Sequence, residues 1–576
     1  MYIETVRNRN SRPTILLREA YREGKRVCKR TIANLTDWPV DKIESFRRLL
    51  KGETLVPVGE ALTIEQSKPH GHVEAILRAF RKLGLPTLIA AKRCRERDLV
   101  VAMIAERLIH PCSKLASTRH WNDTTLAEEL GVGDAEVDEL YDALDWLLAR
   151  QSRIERKLAV RHLDDGDRVL YDVTSSYYEG RTCPLVKFGH NRDGKKGLPI
   201  IVYGVMTDRE GRPVAVQVYP GNTGDPTTVP DQVDKLRTRF GLSHVVLVGD
   251  RGMLTQTRIE ELKRHPGLGW ISALRSGSIR ALVQEGALQA SLFDERNLAE
   301  IVSPEFPGER LIACFNPLLA EQRRRKREEL LAATERELAR IAAAVARRTR
   351  KPLTKDEIGV KVGRVSNRFK VAKHFAWTID DGVFTWHRRE AAIQQEAQLD
   401  GLYVVRTSEP VQQLPMEDTV RAYKDLGRVE SAFGGFRCLK GIDLRVRPIR
   451  HHTEDHVRAH VFLCVLAYYV EWHLRQAWAE LLFQDEELNT TRDRRDPVAP
   501  ARPSASVKRK KRERKSAQGL EIQSWETLLA HLATRARHTC RLGPSDDAGA
   551  SPAFRQLTEP TSLQNRAMEL LDMYPV

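Results

Sequence analysis

The sequence predicts an α/β protein: a mixed sheet at the centre, a helical segment before it and a small β-hairpin at the start. Three observations carry this. Across residues 72–160, stretches such as HVEAILRAFRKLGL and RDLVVAMIAERLIH place apolar side chains at helical spacing. From 168 onward, RVLYDVTSSYY, LPIIVYGVMTD and PVAVQVYPGN read as three strands joined by turns rich in Gly, Asp, Asn and Pro. Helix and strand then alternate through TTVPDQVDKLRTRFG, HVVLVGD, LTQTRIEELKRH and GWISALR. A meander followed by such alternation makes an α/β sheet with a mixed edge.

The remaining elements fall in order around that core. Residues 1–60 hold the hairpin (MYIETV, then TILLREAYREGKRVCKRTIANL) and a linker, and 61–165 form a helical domain. The core occupies 166–276 and resumes at 401–486 with DGLYVVRTS, MEDTVRAYKDLGRVESAF and the apolar helix RAHVFLCVLAYYVEWHL. Between the halves, 277–400 reads as an insertion with a long charged helix. The stretch 487–520 ends in SASVKRKKRERKSAQG and reads as a basic disordered linker, and 521–576 as a helix and tail.

Bulk composition narrows the function. A chain of 576 residues holds two to four domains, and 94 Lys plus Arg against 78 Asp plus Glu leave a net charge of +16. That excess favours polyanionic partners, nucleic acid first. The eight cysteines are scattered without a CxxC pair, against a disulfide framework or a zinc ribbon and in keeping with a reducing cytosol. The start, MYIETVRNRNSRPT, has no apolar signal region, and the longest apolar run, VFLCVLAYYV, is about half a membrane span. The expectation is a soluble intracellular protein with no membrane partner.

Asp172 is the residue that needs explaining. It sits inside the apolar run VLYDV, where a carboxylate loses hydration at a cost that something must offset. Asp250 follows the apolar strand VVLVG, at the carboxyl end where α/β sheets bind ligands, and Glu430 lies on the helix after the resumed sheet. Each acid alone reads as a strand-end, turn or ion-pair residue. Together, in a ribonuclease-H-like strand order, they read as three oxygen donors for two hard divalent cations, Mg²⁺ or Mn²⁺. Two such ions activate water and steady the leaving oxygen of a phosphodiester.

The chain resembles a DDE transposase of bacterial insertion sequences, in the group whose third acid lies in a Tyr-x2-Arg-x3-Glu-x6-Lys signature. The resemblance rests on LYDVTSSYYEG, GHNRDGKKGLPIIVYGVMTDREGRPVAVQVYPGNTGD, VVLVGDRGML, LDGLYVVRTS and RAYKDLGRVESAFGGFRCLK, and spans roughly 1–475. It implies a ribonuclease-H-like catalytic core with a large insertion before the Glu helix. In agreement, 78 residues separate Asp172 from Asp250 and 180 separate Asp250 from Glu430. It also implies a helical N-terminal DNA-binding domain and catalytic, metal-holding roles for Asp172, Asp250 and Glu430. Its partners are DNA, both element terminal inverted repeats and target, and a second copy in a synaptic homodimer. Tyr423 matches the signature; its Arg position falls on Leu426, with Arg428 the nearest guanidinium, and its Lys position on Arg437, with Lys440 an equal candidate. These cations would position phosphates, with Lys195, Lys196 and Arg251 beside the first two acids.

Weaker signals surround this reading. TTLAEELGVGDAEVDELYDAL has a helix-turn-helix outline, but its acids would repel phosphates, which favours a bundle corner. His452, His456 and His460 share a helical face without a third ligand type, RRRKRE opens the insertion helix, and Trp386 is a core residue or a base-stacking platform. The expected function is transposition: cleavage at element ends and transfer of the 3′-hydroxyl into target DNA. A nuclease of the same fold, or an inactive DNA-binding descendant, is the alternative.

Overall fold

The computed structural model describes residues 1–9, 11–53, 62–429, 444–500, 502–542 and 552–575. They divide into two compact units, one of residues 1–68 with 536–559 and the other of 69–535 with 560–576.

In the first unit the predicted hairpin is a three-stranded meander. Strands β1 (Tyr2–Val6), β2 (Thr14–Glu23) and β3 (Arg26–Asn34) pair antiparallel, with a register shift at Leu17/Arg18. Helix Val40–Leu50 lays Ile43 against Leu17 and Leu35 to close a small core. Strand β4 (Leu62–Pro69) belongs to a separate three-stranded sheet whose other members come from the far end of the chain.

The second unit is built on an eight-stranded sheet. Its strands are β5 (Arg168–Tyr177), β6 (Ile200–Thr207), β7 (Pro213–Tyr219), β8 (Val245–Val248), β9 (Leu268–Ala273), β10 (Leu298–Ile301) and β11 (Arg310–Phe315). After the hairpin β12 (Phe375–Asp380) and β13 (Val383–Arg388), strand β14 (Leu402–Thr407) completes the sheet in the order β10-β11-β14-β9-β8-β5-β6-β7. β5, β8 and β9 run parallel and the other pairs antiparallel, so the sheet is mixed. The order β7-β6-β5-β8-β9 fits the ribonuclease-H-like arrangement in general outline.

Helix Glu454–Ala477 ties the unit together. It is apolar nearly all round, and such a helix must be covered on every side. Helices Arg95–Ile109 and Val137–Leu148 pack on it, and so does β7. The expected boundary at 165 is therefore not a boundary of packing: one core runs from Val73 through the sheet to Leu571. Within the helix-turn-helix outline, Leu140, Ala143, Leu144 and Leu147 are buried. Asp138, Asp142 and Asp145 form the exposed face, and Arg95 clamps the turn through Asp134 at 2.8 Å and Glu139 at 3.2 Å. The segment is a bundle corner with an acidic outer surface.

Three further boundaries differ from expectation. The insertion is narrower than 277–400, because β10 and β11 hydrogen-bond into the main sheet. What stands apart is the thirty-residue helix Pro317–Ala346, helix Lys355–Phe369 and the β12–β13 hairpin, around a core of Leu331, Leu338, Ile358 and Phe384. Trp386 belongs there, paired with Trp377 across the hairpin and edge-on to Phe375 at 5.9 Å.

The basic stretch 487–520 is not a disordered linker. It contains helices Leu488–Arg494 and Ala505–Glu513, the second capped by Ser504, whose side chain accepts from the Val507 amide at 3.2 Å. Lys510 is buried: its ammonium donates to the Ala479 carbonyl at 2.7 Å and pairs with Glu486. Composition alone hides this, because one lysine of the run seeks the end of another helix while its neighbours face water. The tail is likewise ordered in part. Helix Trp525–Ala533 leads into β15 (Ala536–Leu542) and β16 (Phe554–Leu557), which join β4 in the first unit, before helix Ser562–Met573. Among the described residues no helix is long and apolar enough to cross a membrane, and the seven described cysteines are free thiols.

Candidate active site

Asp172 lies in β5, and Asp250 lies two residues past the end of its sheet neighbour β8. β5 and β8 pair in parallel as far as Leu170 opposite Val248, and Asp172 and Asp250 each follow two residues later. Neighbouring strands lie about 4.8 Å apart and side chains two apart share a face. The Gly249 amide bonds to the Ile271 carbonyl at 3.1 Å, so the β8 side holds to its other neighbour, β9, one residue past Val248. Both acids are half-buried.

Local turns fix each carboxylate. Asp250 Oδ1 accepts from the Gly252 amide at 3.0 Å and the Met253 amide at 2.7 Å. A Cβ at Gly252 would lie 3.2 Å from Asp250 Oδ2, so the bare backbone there leaves that oxygen room. On β5, Asp172 stands opposite Val205 of β6, and the neighbouring Gly204 leaves space for the Tyr171 ring on the other face. Asp172 shares its face with Thr174 and Ser176. Ser176 Oγ bonds to Tyr203 Oη at 2.9 Å, and Tyr203 lies beside Cys464 and Arg447. The face bearing Asp172 is thus the one that helix Glu454–Ala477 covers.

The loop KFGHNRDGKKG is tied down beyond Asp172. The Ser175 hydroxyl donates to the His190 carbonyl at 3.1 Å, and the Tyr177 amide donates to Asp193 at 3.0 Å. Arg192 pairs with Asp225 just past the Gly-Asn-Thr turn at 2.6 Å, and Asp193 pairs with Arg447. Lys195 and Lys196 project at the exposed tip, where the Asn191 side chain holds the Lys195 carbonyl at 2.7 Å. Arg251 is exposed beside Asp250.

The other expected residues separate. Glu430, Arg437 and Lys440 lie outside the described residues. Tyr423, on helix Met416–Lys424, is half-buried against the main core. Arg428 is not brought to the carboxylates: it donates to the Arg209 carbonyl at 3.2 Å and lies 3.3 Å from Asp425. Its Cβ sits 3.2 Å from the position of a Cβ on Gly211, in the β6–β7 turn. That turn adjoins Arg168, at the amino end of β5, roughly 13 Å along the strand from Asp172. The spacing of the signature could not reveal this, because the partner that fixes Arg428 is a carbonyl 219 positions earlier in the chain.

His452, His456 and His460 do not gather around one point. His460 bonds to the Val446 carbonyl at 3.1 Å, His456 faces Asp145 at 3.4 Å and His452 meets Thr182 at 3.2 Å. Burial, more than neighbouring charge, holds His460 well below the usual imidazole range. The sequence reading missed Lys114, Arg107, Arg445 and Arg447, which line one cleft from segments over 300 positions apart.

Residues 172–470 match the family model of the transposase DDE domain, just over half of the chain and starting at Asp172. The chain belongs to the DDE transposase family. Residues 3–56 of this transposase match a second model, the N-terminal domain of the IS1634 family of transposases. It is a DNA transposase of the bacterial insertion-sequence kind, a polynucleotidyl transferase of a family generally dependent on divalent metal. No curated protein matches the chain. Among solved structures, the piggyBac transposase synaptic complex with hairpin DNA aligns at 10% identity over 82% of this chain and 81% of that one, with a TM-score of 0.32. A likeness at that level carries no argument about the transposase.

Proposed function

We propose that Asp172, Asp250 and Glu430 hold a pair of Mg²⁺ ions, with Mn²⁺ able to replace them, and that the transposase cuts at element ends and joins the freed 3′-hydroxyl to target DNA. The observation that supports this is the parallel pairing of β5 with β8, which runs to Leu170 and Val248, two residues short of each acid. Two carboxylates side by side repel one another, and half-burial sharpens the repulsion. A shared cation removes it, and a donor set of carboxylate oxygens suits a hard divalent ion.

When bound, such ions supply Lewis acidity to the attacking and leaving oxygens of the phosphodiester. The chain's own contribution is orientation. The Gly252 and Met253 amides fix one Asp250 oxygen and leave the other toward the site, while the β5 ladder fixes Asp172. Lys195, Lys196 and Arg251 offer exposed cations to the DNA backbone nearby, and Tyr423, Arg437 and Lys440 would position phosphates from the Glu430 side. Two copies would pair two element ends in a synaptic complex, working on DNA at the nucleoid.

A strand-transfer assay in Mg²⁺ with Asp250→Asn and Asp172→Asn tests the reading. Loss of joining with retained binding of element ends is expected; unaltered joining refutes it. Cutting of generic DNA without joining by the unaltered protein points instead to a nuclease.

A further inference from the structure

A cleft of about 730 Å³ opens where the turn after helix Arg95–Ile109 faces segment 444–456. Arg107, Lys114, Arg445, Arg447 and Arg450 line it; no described residue lining it is a carboxylate, and the acids that pair with Arg447 and Arg450, Asp193 and Glu179, stand outside its wall. The contrast with a cavity of about 830 Å³ at the amino end of β5 is direct. There Arg168, Arg421 and Arg492 are offset by Asp418, Asp425 and Asp493 in the same wall.

Lys114 is the telling residue. It is 4% exposed, and among the described residues it forms no ion pair and no hydrogen bond. Burial, with help from Arg107, pulls its pKa down to about 7. Arg107 is buried too and reaches only backbone oxygens, of Leu444 at 3.5 Å and Cys112 at 3.3 Å. Burial also holds His451 down to about 3, so the floor of the cleft is neutral and its charge comes from Lys and Arg. Among the described residues the one acid facing Lys114 and Arg107 is Glu106, whose own burial pushes its pKa up to about 7, so the buried positive charge is only partly offset and an incoming anion is favoured.

The position of the cleft selects the anion. Ile449 bridges in parallel to Tyr178, the Glu179 amide donates to the Ile449 carbonyl at 3.0 Å, and Tyr178 Oη donates to the His451 carbonyl at 3.0 Å. The cleft therefore follows the continuation of β5, six residues or roughly 20 Å past Asp172. Tyr203 beside Arg447 puts it toward the same face of the sheet. Guanidinium forks around a buried ammonium match phosphate oxygens.

We propose that this cleft is a phosphate pocket that receives a backbone phosphate of the DNA strand lying across Asp172 and Asp250. The inference rests on the DNA-transposase reading and adds a binding site to it. The test uses the full chain, a fluorescein-labelled DNA duplex read by anisotropy across a salt series, and the variants Lys114→Met and Arg445→Gln. Each variant is expected to lower the slope of log affinity against log salt by about 0.9, the loss of one phosphate contact, and to weaken binding about tenfold. Without DNA, Lys114→Met melts at or above the unaltered protein, because an unpaired buried charge is gone. Inorganic phosphate raises the melting temperature of the unaltered protein but not of Lys114→Met.

An unchanged salt slope in both variants overturns the proposal. So does a lower melting temperature for Lys114→Met with Arg445→Gln binding normally, which marks Lys114 as structural. Stabilisation by inorganic phosphate without any change in duplex binding assigns the pocket to a small phosphate compound and overturns the DNA assignment. None of these outcomes touches the joining reaction, so failure of Asp250→Asn to abolish joining remains a separate result.

Discussion

Gly252 stands two residues past Asp250 with its amide on one carboxylate oxygen at 3.0 Å and its missing side chain facing the other at 3.2 Å. The glycine both holds the acid and leaves room for it. Gly252→Val is therefore expected to cut strand joining by one to two orders of magnitude, about the cost of misplacing a reacting group by 1 Å. Its melting temperature should stay close to that of the parent. A joining assay beside a circular-dichroism melt checks this, and full activity in the variant would remove Gly252 from the site.

Glu155 and Lys235 form a buried ion pair at 3.0 Å, with side chains 1% and 2% exposed. Glu155 also accepts from Gln151 at 2.8 Å and from the Val216 amide at 3.0 Å. Lys235→Met alone strands a carboxylate in the core and should cost about 3–5 kcal/mol. Lys235→Met with Glu155→Gln keeps an acceptor for Val216 without the charge and should recover most of that loss. Urea titration of the three proteins decides it; equal losses in single and double variants would show that the pair is not coupled.

His72 is buried, and burial first, then His70, lowers its pKa from 6.5 to about 4. Between those values the unfolded chain binds a proton that the folded chain refuses. Stability contributed by the neutral ring is thus full above about pH 6.5 and lost as pH falls toward 4. The loss is on the order of 3 kcal/mol. In His72→Phe the fall in stability between pH 7 and pH 4 should be smaller by about that amount. Parallel pH curves for the two proteins would contradict the assignment.

Lys510 donates to the Ala479 carbonyl at 2.7 Å from inside the basic run. Lys510→Ala removes a buried charged hydrogen bond and should cost about 1.5–3 kcal/mol. In the parent protein, trypsin should cut slowly at Lys508–Arg512 despite the density of basic residues, because helix Ala505–Glu513 withholds the backbone. In Lys510→Ala cleavage there should become fast; equally rapid cleavage of both proteins would restore the picture of a free linker.

Much of the central sheet was legible in the text. Strands such as LPIIVYGVMT and VVLVG announce themselves because a strand buried on both faces is apolar throughout. Asp172 stood out against that background for the same reason. The signature spacing was less informative: Arg428 lies near Glu430 in sequence yet fastens to Arg209 at the far end of β5. The basic run misled because charge composition is blind to which one of several lysines is buried.

By itself, the sequence determined the local elements and the family and singled out three candidate acids, because helix and strand periods and the DDE motifs are written in near neighbours. Only tertiary structure decided that Leu170 pairs with Val248, which sets side by side the segments leading to Asp172 and Asp250, 78 positions apart in sequence. It also decided that β15 and β16 return to β4, and that Lys114 and Arg447 share a cleft. Such meetings depend on which surfaces can be buried together, and that is a property of the folded whole, which no window of residues contains.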